Sequence, residues 1–179
     1  MLFFAHLGLT LAAASFFKRS NLTFVAIGSL LPDIIDKPLG EIVFGTPAMG
    51  RIFAHTLLFL MLLAILAAYT RDIRLISLSG GVLSHFVLDF MWNSPAILLW
   101  PLLGGFPVAE HLDPLSYIGM LLTGLRNPVI FIPECLGFVY LLYFIYQRRF
   151  LIPIWGNEAM VQINGKLGSM KNILKRIYG

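Results

Sequence analysis

Five stretches of this chain are apolar over lengths close to a membrane crossing: residues 2–17, 22–37, 53–69, 75–92 and 128–146. A crossing takes about 20 apolar residues, so the first two are short. They are expected to thin the bilayer locally or to form a hairpin that enters and leaves on one side. Only 12% of the residues are charged and 58% are apolar, whereas a soluble domain carries about 25% charge. That excludes a water-soluble enzyme. The net charge of +4 does not indicate nucleic acid, because a nucleic-acid binder needs a wetted basic face that so few polar residues cannot build. The single cysteine, Cys135, lies in an apolar run and has no intramolecular disulfide partner.

A cleaved leader carries its positive charge ahead of its apolar core. Here Lys18 and Arg19 follow residues 2–17 and further membrane-type sequence comes next, so this segment reads as an anchor. Short cytoplasmic loops collect Lys and Arg, which places Lys18-Arg19, Arg71 with Arg74, and Arg148-Arg149 inside. The N-terminus is then outside, the chain crosses five times and the C-terminus is cytoplasmic. Ten of the thirteen basic residues fall on the cytoplasmic side, leaving Lys37, Arg51 and Arg126. Residues 96–106, broken by prolines and the Gly104-Gly105 pair, suit an interfacial or re-entrant segment. From residue 153 onward the pattern changes: Met160, Ile163, Leu167, Met170, Leu174 and Ile177 mark one face of a helix, flanked by Lys166, Lys171, Lys175 and Arg176. This tail is expected to be an amphipathic helix on the anionic cytoplasmic leaflet.

Ionisable groups inside apolar segments are expensive and mark function. This chain has His6, Asp33, Asp36, His55, His85, Asp89 and Glu134 there. On the threading fixed by Lys and Arg alone, the first six all fall toward the outer side. His85 and Asp89 are four apart and share a helix face, and Asp33 and Asp36 are three apart. Ser77, Gly80, Gly81 and Ser84 allow a second helix to approach closely. Histidine nitrogens and carboxylate oxygens from several helices are a ligand set for zinc or another first-row divalent ion, with manganese and iron as alternatives. A structural or proton-relay network is the rival reading. Glu134 fits a general base or a supporting group, or a protonated carboxyl between helices. His111 and Asp113 lie in an outer loop that faces water, and Trp92 and Trp100 suit the interfacial aromatic belt. A nucleophilic serine elbow, a phosphate-binding loop and zinc-finger cysteine pairs are absent.

The ordered set Ala5-His6, Gly28-Ser29-Leu30-Leu31-Pro32-Asp33-Ile34-Ile35-Asp36, Arg51 with His55-Thr56-Leu57-Leu58, Gly81 to His85 through Asp89, and Pro95 to Pro101 resembles the YdjM-like family of predicted membrane-bound metal-dependent hydrolases. The resemblance covers roughly the first 101 residues. It implies a helical metal site like that of the fungal zinc nucleases and bacterial zinc-dependent phospholipases C. By that likeness Asp33, His55, His85 and Asp89 bind one metal, and His6 helps bind a second with Asp89 shared. The chain departs from the family pattern in two places. An extra isoleucine moves the second carboxylate to Asp36 and leaves Lys37 near a histidine's place, and Gly50-Arg51-Ile52 stands where the family shows His-Arg-Gly.

The expectation is an all-α integral membrane protein of the inner membrane, with about five transmembrane helices in residues 1–152 and the basic tail in 153–179. Its expected activity is metal-dependent hydrolysis of a phosphoester, phospholipase C-like, on a lipid-linked or amphiphilic substrate. Six metal ligands are expected (His6, Asp33, Asp36, His55, His85, Asp89), with Arg51 and Glu134 as catalytic groups. A small ion-coupled transporter and a noncatalytic membrane scaffold are the alternatives.

Overall fold

The computed structural model describes residues 3–45, 50–107 and 113–147, and all regular structure in them is helical. Chain contacts divide it into two units, Met1–Leu141 and Leu142–Gly179. The second unit's described residues are the last turns of one helix. The expected boundary at 152, the amphipathic tail and His111 lie outside the described residues.

We label the helices α1 (Ala5–Ser15), α2 (Leu22–Phe44), α3 (Leu57–Thr70), α4 (Ile73–Leu88), α5 (Pro95–Leu98), α6 (Pro114–Gly124) and α7 (Pro128–Gln147). Local chemistry sets most boundaries. The side chains of Asn21, Thr56, Asp72 and Asp113 accept hydrogen bonds from the first free amides of α2, α3, α4 and α6, as N-caps do. These bonds also hold the exposed Asp113 carboxyl below its usual pKa, chiefly through Ser116. Gly45 (φ 69°) and Arg71 (φ 54°) end α2 and α3 in the left-handed region. With Asp72 capping α4 directly after Arg71, α3 and α4 form a tight hairpin.

Of the five expected crossings, α7 alone among the described helices is both long and apolar enough to span, with 20 residues. The others differ for identifiable reasons. At 23 residues α2 is long enough, but Asp33, Asp36, Lys37 and Glu41 lower its apolarity. Of the remaining segments, α1, α3 and α4 are apolar but short; α3 is shortened by the 3-10 turn Phe53–His55 before it, and the chain leaves α4 at Asp89, where Phe90 turns left-handed. Residues 95–103 form the one-turn α5 followed by turns, as expected of a non-spanning piece. Outward faces are strongly apolar: Phe16, Ile42 and Leu102 are at least 80% exposed, and only 11% of the apolar window of α7 is buried. Such surface is covered by lipid or by another protein.

Two close helix approaches organise the interior. A Cβ on Gly28 would strike the Leu78 carbonyl, and one on Gly81 the Val25 carbonyl, so α2 and α4 are in backbone contact. Gly8 on α1 and Gly137 on α7 meet in the same way, through the carbonyls of Gly137 and Phe4. Small residues at a crossing replace the hydrophobic drive that lipid removes. The adjacent Gly80 has nothing within 4 Å of its would-be Cβ. We therefore expect opposite outcomes from neighbouring substitutions in thermal unfolding in detergent. Gly81→Ala should destabilise by about 1–3 kcal/mol through overpacking, while Gly80→Ala should stabilise by up to about 1 kcal/mol through helix propensity.

Candidate metal centre

The α2–α4 crossing decides where His85 points. One turn beyond Gly81, its fully buried ring sets Nδ1 2.7 Å from the Ser29 carbonyl oxygen. A carbonyl only accepts, so Nδ1 carries the proton and Nε2 carries a lone pair. His55 is held by a different device. The buried Asp36 carboxylate accepts from the backbone amides of Ile52 (2.8 Å), Ala54 (2.9 Å) and His55 (3.1 Å), and the His55 ring nitrogen Nδ1 lies 2.7 Å from it. An ionised carboxylate has no proton to give, so Nδ1 donates and Nε2 again carries the lone pair.

The two Nε2 atoms face each other at 3.1 Å. With both outer nitrogens protonated, two lone pairs oppose across that gap, and only a shared proton or a cation satisfies them. Two imidazole nitrogens on one tetrahedral zinc ion, each about 2.0–2.1 Å from it, stand roughly 3.3 Å apart. The observed gap is close to that.

Carboxylates complete the cluster. Asp33 Oδ1 lies 3.7 Å from His55 Nε2, and Asp89 Oδ2 lies 4.0 Å from His85 Nε2. His6 is fully buried and stacks on His85 with ring centroids 4.1 Å apart. Its Nε2 is 3.2 Å from Asp89 Oδ1, but neither ring nitrogen makes an aligned hydrogen bond. A buried imidazole left in that state needs a reason, and a bound cation supplies one. Two sets of atoms come within 4.8 Å of one another: His6, His85, Asp89 and Asp33, His55, His85. Both use His85, which has one free nitrogen, so His85 serves a single ion and the two sets are not independent sites.

Two cations sit on the open side of the carboxylates. Arg51 Nη2 is 2.6 Å from Asp89 Oδ2, and Lys37 Nζ is 2.8 Å from Asp33 Oδ2. Their side chains are 42% and 38% exposed, so both cations sit where the cluster meets its surroundings.

The structure thus brings together His6, Asp33, His55, His85, Asp89 and Arg51. It uses two other expected residues differently. Asp36, expected as a ligand, has both oxygens engaged by the 52–55 backbone and His55, so it orients a ligand from outside the cluster. Glu134, expected as a base, accepts from the amides of Phe4 (3.0 Å) and Ala5 (3.2 Å) through its two oxygens. It fixes the start of α1, through amides one and two residues before His6. Asp113 caps α6 instead of joining the cluster. Sequence reasoning missed the Ser29 carbonyl, since a backbone oxygen has no side-chain signature; the nearest signal is Pro32, which interrupts hydrogen bonding in that turn of α2.

Removing Asp36 strands three buried amides and frees His55 to change tautomer, whereas Asp33 is 22% exposed and paired with a partly exposed lysine. In denaturant titrations of the metal-free protein, Asp36→Ala is expected to lose about 3–5 kcal/mol of stability, and Asp33→Ala less than about 1 kcal/mol.

A family model described as YdjM inner membrane protein matches residues 1–154. No curated protein and no solved structure matches the chain.

Proposed function

This chain belongs to the YdjM inner membrane protein family, and we propose that within the membrane it is a metal-dependent hydrolase acting on the phosphoester of a lipid or other amphiphile. The observation that carries this reading is the facing pair of ring nitrogens, His55 Nε2 and His85 Nε2, 3.1 Å apart and flanked by Asp33 and Asp89. A set of two imidazoles and two carboxylates would suit a divalent ion, with zinc preferred over manganese and iron for a mixed imidazole and carboxylate set. His6 adds a further nitrogen near Asp89. When bound, such an ion polarises a phosphoryl oxygen and acidifies water at neutral pH.

The protein's own groups have separable tasks. Asp36 and the Ser29 carbonyl lock the tautomers that leave both ligand nitrogens available, the role such outer partners play at metal centres. Arg51 and Lys37, held beside the cluster by Asp89 and Asp33, would bind the anionic phosphate and stabilise charge developing on it. The low-dielectric surroundings strengthen each of these interactions.

The arrangement of charge favours five crossings by α1, α2, α3, α4 and α7, with the N-terminus outside and the C-terminus cytoplasmic. Sixteen residues of α4 rise about 24 Å, so a bilayer of about 30 Å must thin beside it. On this threading the metal centre lies toward the outer surface, within reach of lipid headgroups.

The test begins with metal. Protein purified in detergent is expected to hold about one zinc per chain by elemental analysis, lost in His55→Ala and His85→Ala. Asp36→Asn should weaken affinity by about 10–100-fold. Phosphate or phosphoalcohol release from phospholipid or polyprenyl-phosphate vesicles should follow metal content across the variants. Wild-type protein that binds no zinc, manganese or iron after dialysis against each overturns the reading and leaves a proton-sharing histidine pair, as a carrier or scaffold would use. Metal without turnover of either lipid class overturns the hydrolase assignment while keeping the centre.

A further inference from the structure

Two adjoining cavities of about 280 and 250 Å³ share Thr10, Ala13 and Ser84. They form one groove between α1 and α4, floored by Val25 of α2. At one end the walls are Phe17, Arg19, Ile73 and Ile76; at the other they are Leu9, Val87 and Leu88. The groove therefore follows α4 for roughly 24 Å, with walls that are mostly apolar apart from Thr10, Arg19, Ser20, Ser77 and Ser84. That shape accepts an extended hydrocarbon chain and excludes a compact solute.

Three observations identify the occupant. Arg19 lines the groove, is exposed, and has no carboxylate partner among the described residues. Lys18 adjoins Arg19, and Arg71 and Arg74 lie at the start of α4, whose Ser77 Oγ accepts from the Asn21 amide at 2.9 Å and so ties the 18–21 connection to this end of α4. This end of the bundle is complementary to an anionic headgroup. Secondly, Thr10 is 2% exposed and lines both cavities, yet its hydroxyl has no hydrogen-bond partner. The groove wall thus carries one unpaired hydroxyl where the two cavities meet. Thirdly, Gly80 lines the groove with nothing within 4 Å of its would-be Cβ. A mid-helix glycine costs stability relative to alanine, and no neighbouring helix requires this one, in contrast to Gly81. Its smallness serves the groove alone.

We propose that the α1–α4 groove binds one anionic phospholipid, with its phosphate on Arg19 and an ester-linked acyl chain running past Thr10 and Gly80 toward Leu88. The site is separate from the metal centre, and its occupancy requires no metal.

The test uses the full chain, with metal removed, in bilayer nanodiscs of phosphatidylcholine doped with phosphatidylglycerol carrying a diazirine at the end of one acyl chain. Irradiation is expected to label α4 between Leu83 and Leu88 or α1 near Leu9. Lipid retained after detergent extraction should favour phosphatidylglycerol over phosphatidylcholine by about tenfold. Arg19→Gln is expected to abolish that preference while labelling persists at a higher probe concentration. Gly80→Phe should fill the groove and cut labelling at least tenfold with an unchanged melting profile; if that variant unfolds, Ala13→Phe fills the groove from the opposite wall. Equal retention of the two lipids by the wild type overturns the proposal. So does labelling confined to helices outside α1 and α4. Terminal-probe labelling near Phe17 and Ile73 also overturns it, because it indicates a chain lying the other way, with its headgroup at the metal centre.

Discussion

Contact between the backbones of α2 and α4 is the constraint from which the rest of the interior follows. A histidine ring is short, and His85 reaches the Ser29 carbonyl only because Gly28 and Gly81 remove the side chains that would hold the two helices apart. Any larger residue at either position pushes α4 outward. The carbonyl bond is then lost, the His85 tautomer is no longer fixed, and the opposition of the two Nε2 atoms disappears. In a membrane this contact cannot lean on expulsion of water, so it depends on van der Waals fit and polar bonds. The same crossing thus supplies both stability and the protonation state of a ligand.

The interior is built as a polar network inside an apolar shell, inverted relative to a soluble domain. Its cost is contained by pairing each group in layers. Asp36 collects three amides and an imidazole; Ser29 takes a second imidazole; Lys37 and Arg51 cover the two carboxylates nearest the opening. Within this polar network, incomplete pairing falls on His6 and on the facing nitrogens of His55 and His85, while the other unpaired buried group among the described residues, the Thr10 hydroxyl, belongs to the α1–α4 groove. Dissatisfaction at the centre of an otherwise paired polar network is the pattern of a preorganised binding site.

Much of this was legible in the sequence, and the reasons differ by residue. The pairing of His85 with Asp89 follows from a four-residue spacing, and the nearness of His6, Asp33 and His55 follows from placing ionisable groups on one side by the distribution of Lys and Arg. All-helical structure and the break at 95–103 were readable from apolar length and prolines. Helix lengths were not. The 3-10 turn at 53–55 and the left-handed Phe90 shorten two apolar stretches without changing their hydropathy, and Asn21 starts a helix that runs through Pro32 and Pro38 into polar sequence. The tasks of Asp36 and Glu134 were hidden because both accept from backbone amides. Composition records that a carboxylate is buried, and cannot tell an imidazole partner from a peptide one.

The Glu134 contact with the amides of Phe4 and Ala5 joins positions about 130 apart in the chain. Synthesis proceeds from the N-terminus, so His6 enters the bilayer long before the carboxylate that anchors its segment has been made. Until α7 arrives, the amides of Phe4 and Ala5 lack the Glu134 carboxylate and Gly8 has no Gly137 to pack against, so the start of α1 is held only by its contacts with α2 and α4, the His6–His85 stack among them. Residues on α2, α3 and α4 can meet earlier through the α3–α4 hairpin and the α2–α4 crossing. Assembly is therefore ordered in time: the Asp33, His55 and His85 portion forms first, and His6 is latched in place only near the end of translation. A truncated chain lacking α7 would retain the early half of the centre and lose the late one.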